Sequence, residues 1–286
     1  MKFLVKFIML TGALGLLGFI LVDKYSVNLY ISQLGKKNTV ENVEDYIVEL
    51  RETMLQRKTS VELKFKGTEK EVHEFVSTAI DQAFQIDDPN TSSDFDYLKY
   101  CYKGTEITIQ GILNAYTITY QFNYNETLEQ TKLVDETIKK VFASLDLESK
   151  SEYDKIKTIH DYIITNASYD VAVLKNSAYE NLILRSSVCQ GYASLTYKMM
   201  MEAGIDCRII TGQGKGVSHA WNIVKLDNRW YNIDCTWDDP VSNDDRSHLV
   251  YDYFLKSNGD FLHHIRDEEF DTIEFNEMYK MSDTSY

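Results

Sequence analysis

"GVSHAWNIVKLDNRWYNIDCTWDDP", residues 216–240, alternates apolar and polar residues on both sides of Asp227-Asn228. This pattern predicts an antiparallel hairpin whose loop is that Asx pair, because Asp and Asn tolerate the left-handed backbone a two-residue turn requires. Leu226 then faces Arg229, Trp221 faces Asp234, and His219 faces Thr236. His219 and Asp234 become diagonal neighbours on one face, about 7–8 Å apart at the backbone and within reach of an imidazole–carboxylate hydrogen bond. A register slip of one residue would send them to opposite faces.

Upstream lies "SSVCQGYASLTYKMMMEAG", residues 186–204, an apolar helix with a cysteine in its first turn. Ser186 or Ser187 is the expected cap, and Gly204 the left-handed stop. In that first turn, unpaired amides and the helix dipole favour Cys189 as an anion. Gly191 removes a side chain beside it, which a closely approaching substrate or backbone would require. Thiol, imidazole and carboxylate are the parts of an acyl-transfer site. Cys189 would attack a carbonyl, His219 would hold the thiolate and protonate the leaving amine, and Asp234 would fix the tautomer. The Cys189 N–H is the natural oxyanion donor. This chemistry calls for no metal and no cofactor.

Composition narrows the alternatives. The chain has 286 residues, with 44 acidic against 30 basic residues and a net charge of −14. That balance repels phosphate backbones and argues against a nucleic-acid partner. Residues 1–22, "MKFLVKFIMLTGALGLLGFILV", have a basic start and an uncharged run from Phe7 to Val22. They read as an apolar helix serving as a membrane signal-anchor, or as a cleaved signal peptide, with the body outside the cytoplasm. Four scattered cysteines, without a CxxC pair, fit neither a disulfide scaffold nor a thiolate zinc site. Cys101, Cys207 and Cys235 read as buried small residues.

Residues 23–39 read as a tether, and 40–125 as a small accessory α/β region. That region has helices near 40–57 and 69–85 and strands at "SVELKFKG", "YLKYCYKGTEITIQG" and "AYTITYQFNYN". From 126 to 286 the pattern is that of an α+β catalytic domain, with helices at 126–146 and 151–166 and a capped start at Ser151. His160 has a helical address and reads as packing or capping. His248, His263 and His264 read as surface residues. "GQGKG" at 212–216 lacks phosphate-loop context and reads as a mobile flap. "WDDPVSNDD" at 237–245 matches no calcium loop and reads as a solvated turn.

Over residues 151–240, "IHDYIITNASYD", "SAYENLILRSSVCQGYA", "GIDCRIITG" and the opening hairpin resemble the transglutaminase-like superfamily, most of all its bacterial transglutaminase-core proteins. The motifs C-x-G-Y-A, H-A-W-N and D-x-T-W-D-D-P stand in the family's order. The resemblance implies a papain-like fold, with a catalytic helix packed on an antiparallel sheet, and a Cys189–His219–Asp234 triad. It also implies that Gly191, Tyr192, Trp221, Asn222 and Trp237 line or brace the cleft. Cys235 departs from the small aliphatic residue common there. Implied substrates are glutamine side chains or peptide amides of proteins, with outcomes of crosslinking, deamidation or hydrolysis. A cysteine peptidase of the same fold, or a non-catalytic cell-surface scaffold, are the competing readings.

Overall fold

Val72, Phe75, Val76, Ala79, Ile80 and Ala83 recur at helical spacing, and all six are buried along one helix. The computed structural model describes residues 5–9, 43–239 and 249–286, which fall into two units. The first comprises the described residues up to Asp88 together with Cys101–Leu128. It contains β1 (Val5–Met9), α1 (Val43–Leu55), β2 (Ser60–Lys66), α2 (Glu69–Phe84), β3 (Tyr102–Ile112) and β4 (Ala115–Tyr124). The strands form one antiparallel sheet in the order β1-β3-β4-β2. Its inner face is aromatic: Phe65 stacks on Phe75, Tyr120 stacks on Phe122, and the Tyr46 hydroxyl donates to that of Tyr120 at 3.1 Å.

Two expectations for the accessory region and the segment before it fail. Val5–Met9 is an edge strand, paired from Val5↔Ile109 to Met9↔Thr105, and not part of an apolar helix. The open edge of β3 offers unpaired backbone groups, and a Val/Phe/Ile-containing segment is a good strand former. The rest of the expected anchor, and the tether, lie outside the described residues, among which no helix is long and apolar enough to cross a membrane. In the second failure, "YLKYC" is helical. Tyr97, Leu98 and Cys101 fit a helical as well as an alternating spacing, and all three are buried.

The second unit comprises Pro89–Tyr100 and Glu129–Tyr286, so a segment expected in the accessory region belongs with the site. The reason is a set of buried polar links. Asp96 receives Arg208 Nε at 2.7 Å and Ile209 N at 2.8 Å, and Ser93 receives Lys198 Nζ at 2.7 Å. The unit holds α3 (Phe95–Cys101, all but its last residue), α4 (Leu128–Ser144), α5 (Glu152–Asn166) and α6 (Ala178–Leu182). After these come α7 (Cys189–Glu202) and α8 (Ile273–Met278). Short strands β5 (Ser168–Tyr169) and β6 (Ser186–Ser187) pair in parallel. An antiparallel sheet in the order β10-β7-β8-β9 forms the platform, from β7 (Cys207–Gly214), β8 (Val217–Leu226), β9 (Arg229–Ile233) and β10 (His264–Arg266).

Helix α7 packs on β7 and β8, with α5 and α6 against its other sides. It ends as expected: Gly204 has φ +77°, its N–H reaches Met201 O at 3.0 Å, and Ile205 N reaches Met200 O at 2.9 Å. These two bonds make a Schellman stop. The "GQGKG" stretch is not a flap but part of the sheet. Lys215 (φ 50°) and Gly216 (φ 82°) make a two-residue turn between β7 and β8. Gly212 lies under β10, where an added Cβ would come within 2.0 Å of the Ile265 carbonyl oxygen.

Candidate active site

The hairpin β8–β9 turns at Asp227 (φ 51°) and Asn228 (φ 59°), and its register runs from Leu226↔Arg229 to Asn222↔Ile233, as the sequence predicts. The pairing stops there. Asp234 leaves the strand, and its Oδ1 accepts the N–H groups of Thr236 (2.9 Å) and Trp237 (3.2 Å). His219 pairs with Gly212 of β7, not with Thr236. The expected meeting nevertheless occurs, with His219 Nε2 2.6 Å from Asp234 Oδ2, both side chains buried.

Cys189 opens α7 and is half-buried. Neither serine caps this helix. Val188 is the N-cap and no side chain closes it, while the Ser187 hydroxyl accepts from Asn181 Nδ2 at 2.8 Å and Ser186 lies in β6. The first turn tightens through Gly191 N–H to Val188 O at 2.9 Å. With Nε2 of His219 held by Asp234, the ring and Cys189 line one cavity. Burial pulls the imidazole down, but the charge and hydrogen bond of Asp234, joined by Cys189, push it up to about 10. Burial raises the Asp234 carboxyl, and the charges and hydrogen bonds of His219 and His264 outweigh it and hold it well below the usual carboxylate range.

A cavity of about 330 Å³ opens over the thiol, lined among others by Tyr169, Cys189, His219, Trp237, Asp239 and Tyr253. Of the residues expected at the cleft, only Trp237 lines it, stacked on His219 at 4.9 Å with the Lys215 ammonium 4.4 Å from its ring centre. Tyr192 lies beneath, its hydroxyl donating to Asp239 at 2.6 Å, and burial pushes that carboxyl up to about 6. Trp221 belongs to an apolar cluster with Ile210, Ile223 and Phe261. Asn222 braces α7, its Nδ2 donating to Ala193 O at 3.0 Å and Arg208 O at 3.2 Å.

Gly191 serves packing and not substrate access. A Cβ there would come within 2.5 Å of Ser187 Cβ and 2.8 Å of Ser177 O. The three other cysteines are buried and form no disulfide. Cys235 accepts from the Thr196 hydroxyl at 3.3 Å, and burial pushes its thiol far up.

Of two further histidines, His264 departs from expectation and His160 packs as expected. His264 is not a surface residue: its side chain is buried, with Nε2 3.0 Å from Asp234 Oδ2 and Nδ1 3.1 Å from Leu262 O. His160 is wholly buried, with Nε2 3.0 Å from Asp238 Oδ2 and Nδ1 3.1 Å from Asp161 Oδ1. Burial lowers its pKa, and the two carboxylates raise it further than burial lowers it. Asp238 is thus no solvated turn residue, and its Oδ1 also accepts Tyr253 N at 2.9 Å. His263 is exposed as expected, and His248 lies outside the described residues. His219, Asp234 and His264 place one ligand atom each within 4.8 Å of one another. The short hydrogen bonds among those atoms account for that clustering without an ion.

Comparisons with known proteins find similarities over parts of the chain. Residues 139–235 match the model of the transglutaminase-like superfamily. A 108-residue stretch is 30% identical to human kyphoscoliosis peptidase and 31% identical to the mouse protein, covering 32% of this chain and 16% of each relative. A solved structure of a TGase aligns with a TM-score of 0.37 at 17% identity, covering 72% of this chain and 60% of that one. The chain spans about a sixth of the length of the kyphoscoliosis peptidases, and its residues 139–235 are what is similar to the transglutaminase-like superfamily.

Proposed function

We propose that this protein is a thiol-dependent acyltransferase or hydrolase acting on glutamine side chains or peptide amides of protein substrates. The observation that carries the reading is that His219, bonded to the Asp234 carboxylate at 2.6 Å, lines the same cavity as Cys189. The Cys189 sulfur attacks the amide carbon, and the charge that develops on the carbonyl oxygen faces the uncapped start of α7. The C–N bond then breaks as the His219 proton passes to the departing amine, leaving a thioester on Cys189. Water or a primary amine resolves it and returns a proton to His219. Asp234 is a positioning group throughout. It accepts four hydrogen bonds and stays ionised, so it fixes the ring and stabilises its cationic form.

The cavity is large enough for one amino-acid side chain or a short stretch of peptide. Peptide cleavage is the second reading, favoured by the similarity to a protein called a peptidase. The test is to incubate the full chain with a glutamine peptide and a labelled primary amine. Ammonia release with amine incorporation marks crosslinking, ammonia release alone marks deamidation, and a new peptide amino terminus marks proteolysis. If none occurs, and Cys189 is alkylated no faster than a free model thiol at neutral pH, the reading is wrong and a binding role replaces it.

A further inference from the structure

His264 touches the same oxygen of Asp234 that holds His219. The two Nε2 atoms lie 3.0 and 2.6 Å from Oδ2, while Oδ1 is filled by two backbone amides. The other nitrogen of His264 faces a backbone carbonyl, that of Leu262, at 3.1 Å. A carbonyl only accepts, so Nδ1 carries a proton. An ionised carboxylate also only accepts, so Nε2 carries one as well. The ring that satisfies both contacts is an imidazolium, enclosed by Phe261 (3.8 Å), Trp237 (4.2 Å), Trp221 (4.9 Å) and Tyr253 (5.5 Å). Among the described contacts of this ring, the titratable groups are Asp234, His219 and Tyr253.

We propose that His264 is a cationic positioning residue that shares the Asp234 carboxylate with His219 and thereby weakens the hold of Asp234 on the His219 proton. A single carboxylate facing one imidazole would keep that proton too tightly for it to be released to a leaving amine. A second cation on the same oxygen offsets part of the attraction and returns the acid towards its working range. It also leaves Oδ2 no freedom to turn away from His219. The proposal rests on the reading of Cys189, His219 and Asp234 as a thiol site.

The test uses the full chain carrying ¹⁵N-labelled histidine. At neutral pH both His264 nitrogens are expected to show imidazolium shifts. His264→Gln keeps a side-chain N–H donor to Asp234 but removes the charge. It is expected to raise the His219 titration midpoint by about one unit and to move the upper limb of the Cys189 alkylation pH profile by the same amount. A residue that only filled space would move neither. A neutral His264 ring in the wild-type chain at neutral pH, or an unmoved His219 midpoint in His264→Gln, overturns the proposal. Should the variant not fold, the wild-type shifts decide on their own. A doubly protonated His264 beside a Cys189 with ordinary thiol reactivity would sink the thiol reading and leave the shared carboxylate standing.

Discussion

Two of the buried histidine–aspartate pairs in the second unit, His160–Asp238 and His219–Asp234, differ in what the second ring nitrogen meets. His160 has Asp238 on one side and Asp161 on the other, both carboxylates. His219 has Asp234 on one side and the Cys189 thiol on the other. A ring held between two acceptors clamps two segments of chain, the helix carrying His160 and Asp161 and the loop carrying Asp238. A ring held between an acceptor and a nucleophile can lose its proton to chemistry. Burial and hydrogen-bond length barely separate the two pairs; the identity of the second partner does.

The strongest way to break this contrast is to remove the nucleophile. Cys189→Ala is expected to abolish amide turnover by about 10,000-fold or more, with the circular-dichroism spectrum and melting temperature little changed. A variant that keeps its turnover would remove any functional difference between the pairs. The next largest effect is on pH-dependent stability. His219 rises in the folded state from an ordinary 6.5 to about 10. Its stabilisation is therefore complete below about 6.5 and is lost as the pH climbs through about 10, on the order of several kcal/mol in all. Denaturant midpoints for wild type and His219→Gln should converge across that window, and parallel curves would contradict the assignment.

His160→Phe is expected to act on stability instead, costing about 3–5 kcal/mol in denaturant unfolding, because Asp238 is left as a buried carboxyl without its partner. In the folded fraction, the Cys189 alkylation profile should keep its shape. A shifted profile would make His160 part of the thiol site. Gly191→Ala sharpens the same point from the helix side: its methyl group meets Ser187 and the Ser177 carbonyl, for about 1–3 kcal/mol of overpacking with no gain in substrate access. The smallest effect belongs to Lys157→Met. Its ion pair with Asp161 is partly exposed and screened, so about 0.5 kcal/mol is expected from thermal unfolding.

The β8–β9 hairpin and its turn were legible because a two-residue Asx loop in an alternating stretch admits one register, and that register brings His219 to Asp234. Helix α7 was legible in extent, since its stop is written in Gly204. Its cap was not, because both serines serve the segment before it, a tertiary choice that no local pattern carries. "YLKYC" fitted two periods equally, and the deciding burial comes from its surroundings. His264 reaches Asp234 on a strand that joins the sheet across β7, which is not its neighbour in sequence. Adjacent His263 and His264 give no local sign that one is exposed and the other sealed. Asp238 hid in an acidic run for the same reason, since its partner His160 lies 78 positions upstream.

Gly212 turns this architecture into a remote control point. It touches neither the thiol nor the carboxylate, yet it sets how closely β10, the strand that begins at His264, can approach the sheet. Each methyl group added at position 212 pushes the Ile265 backbone outward and draws the second imidazole away from Asp234. Because Gly212 also pairs with His219 on β8, graded substitution there would bear on both imidazoles that meet Asp234. On the proposal made for His264, position 212 would shift the His219 titration midpoint from outside the residues that line the cavity.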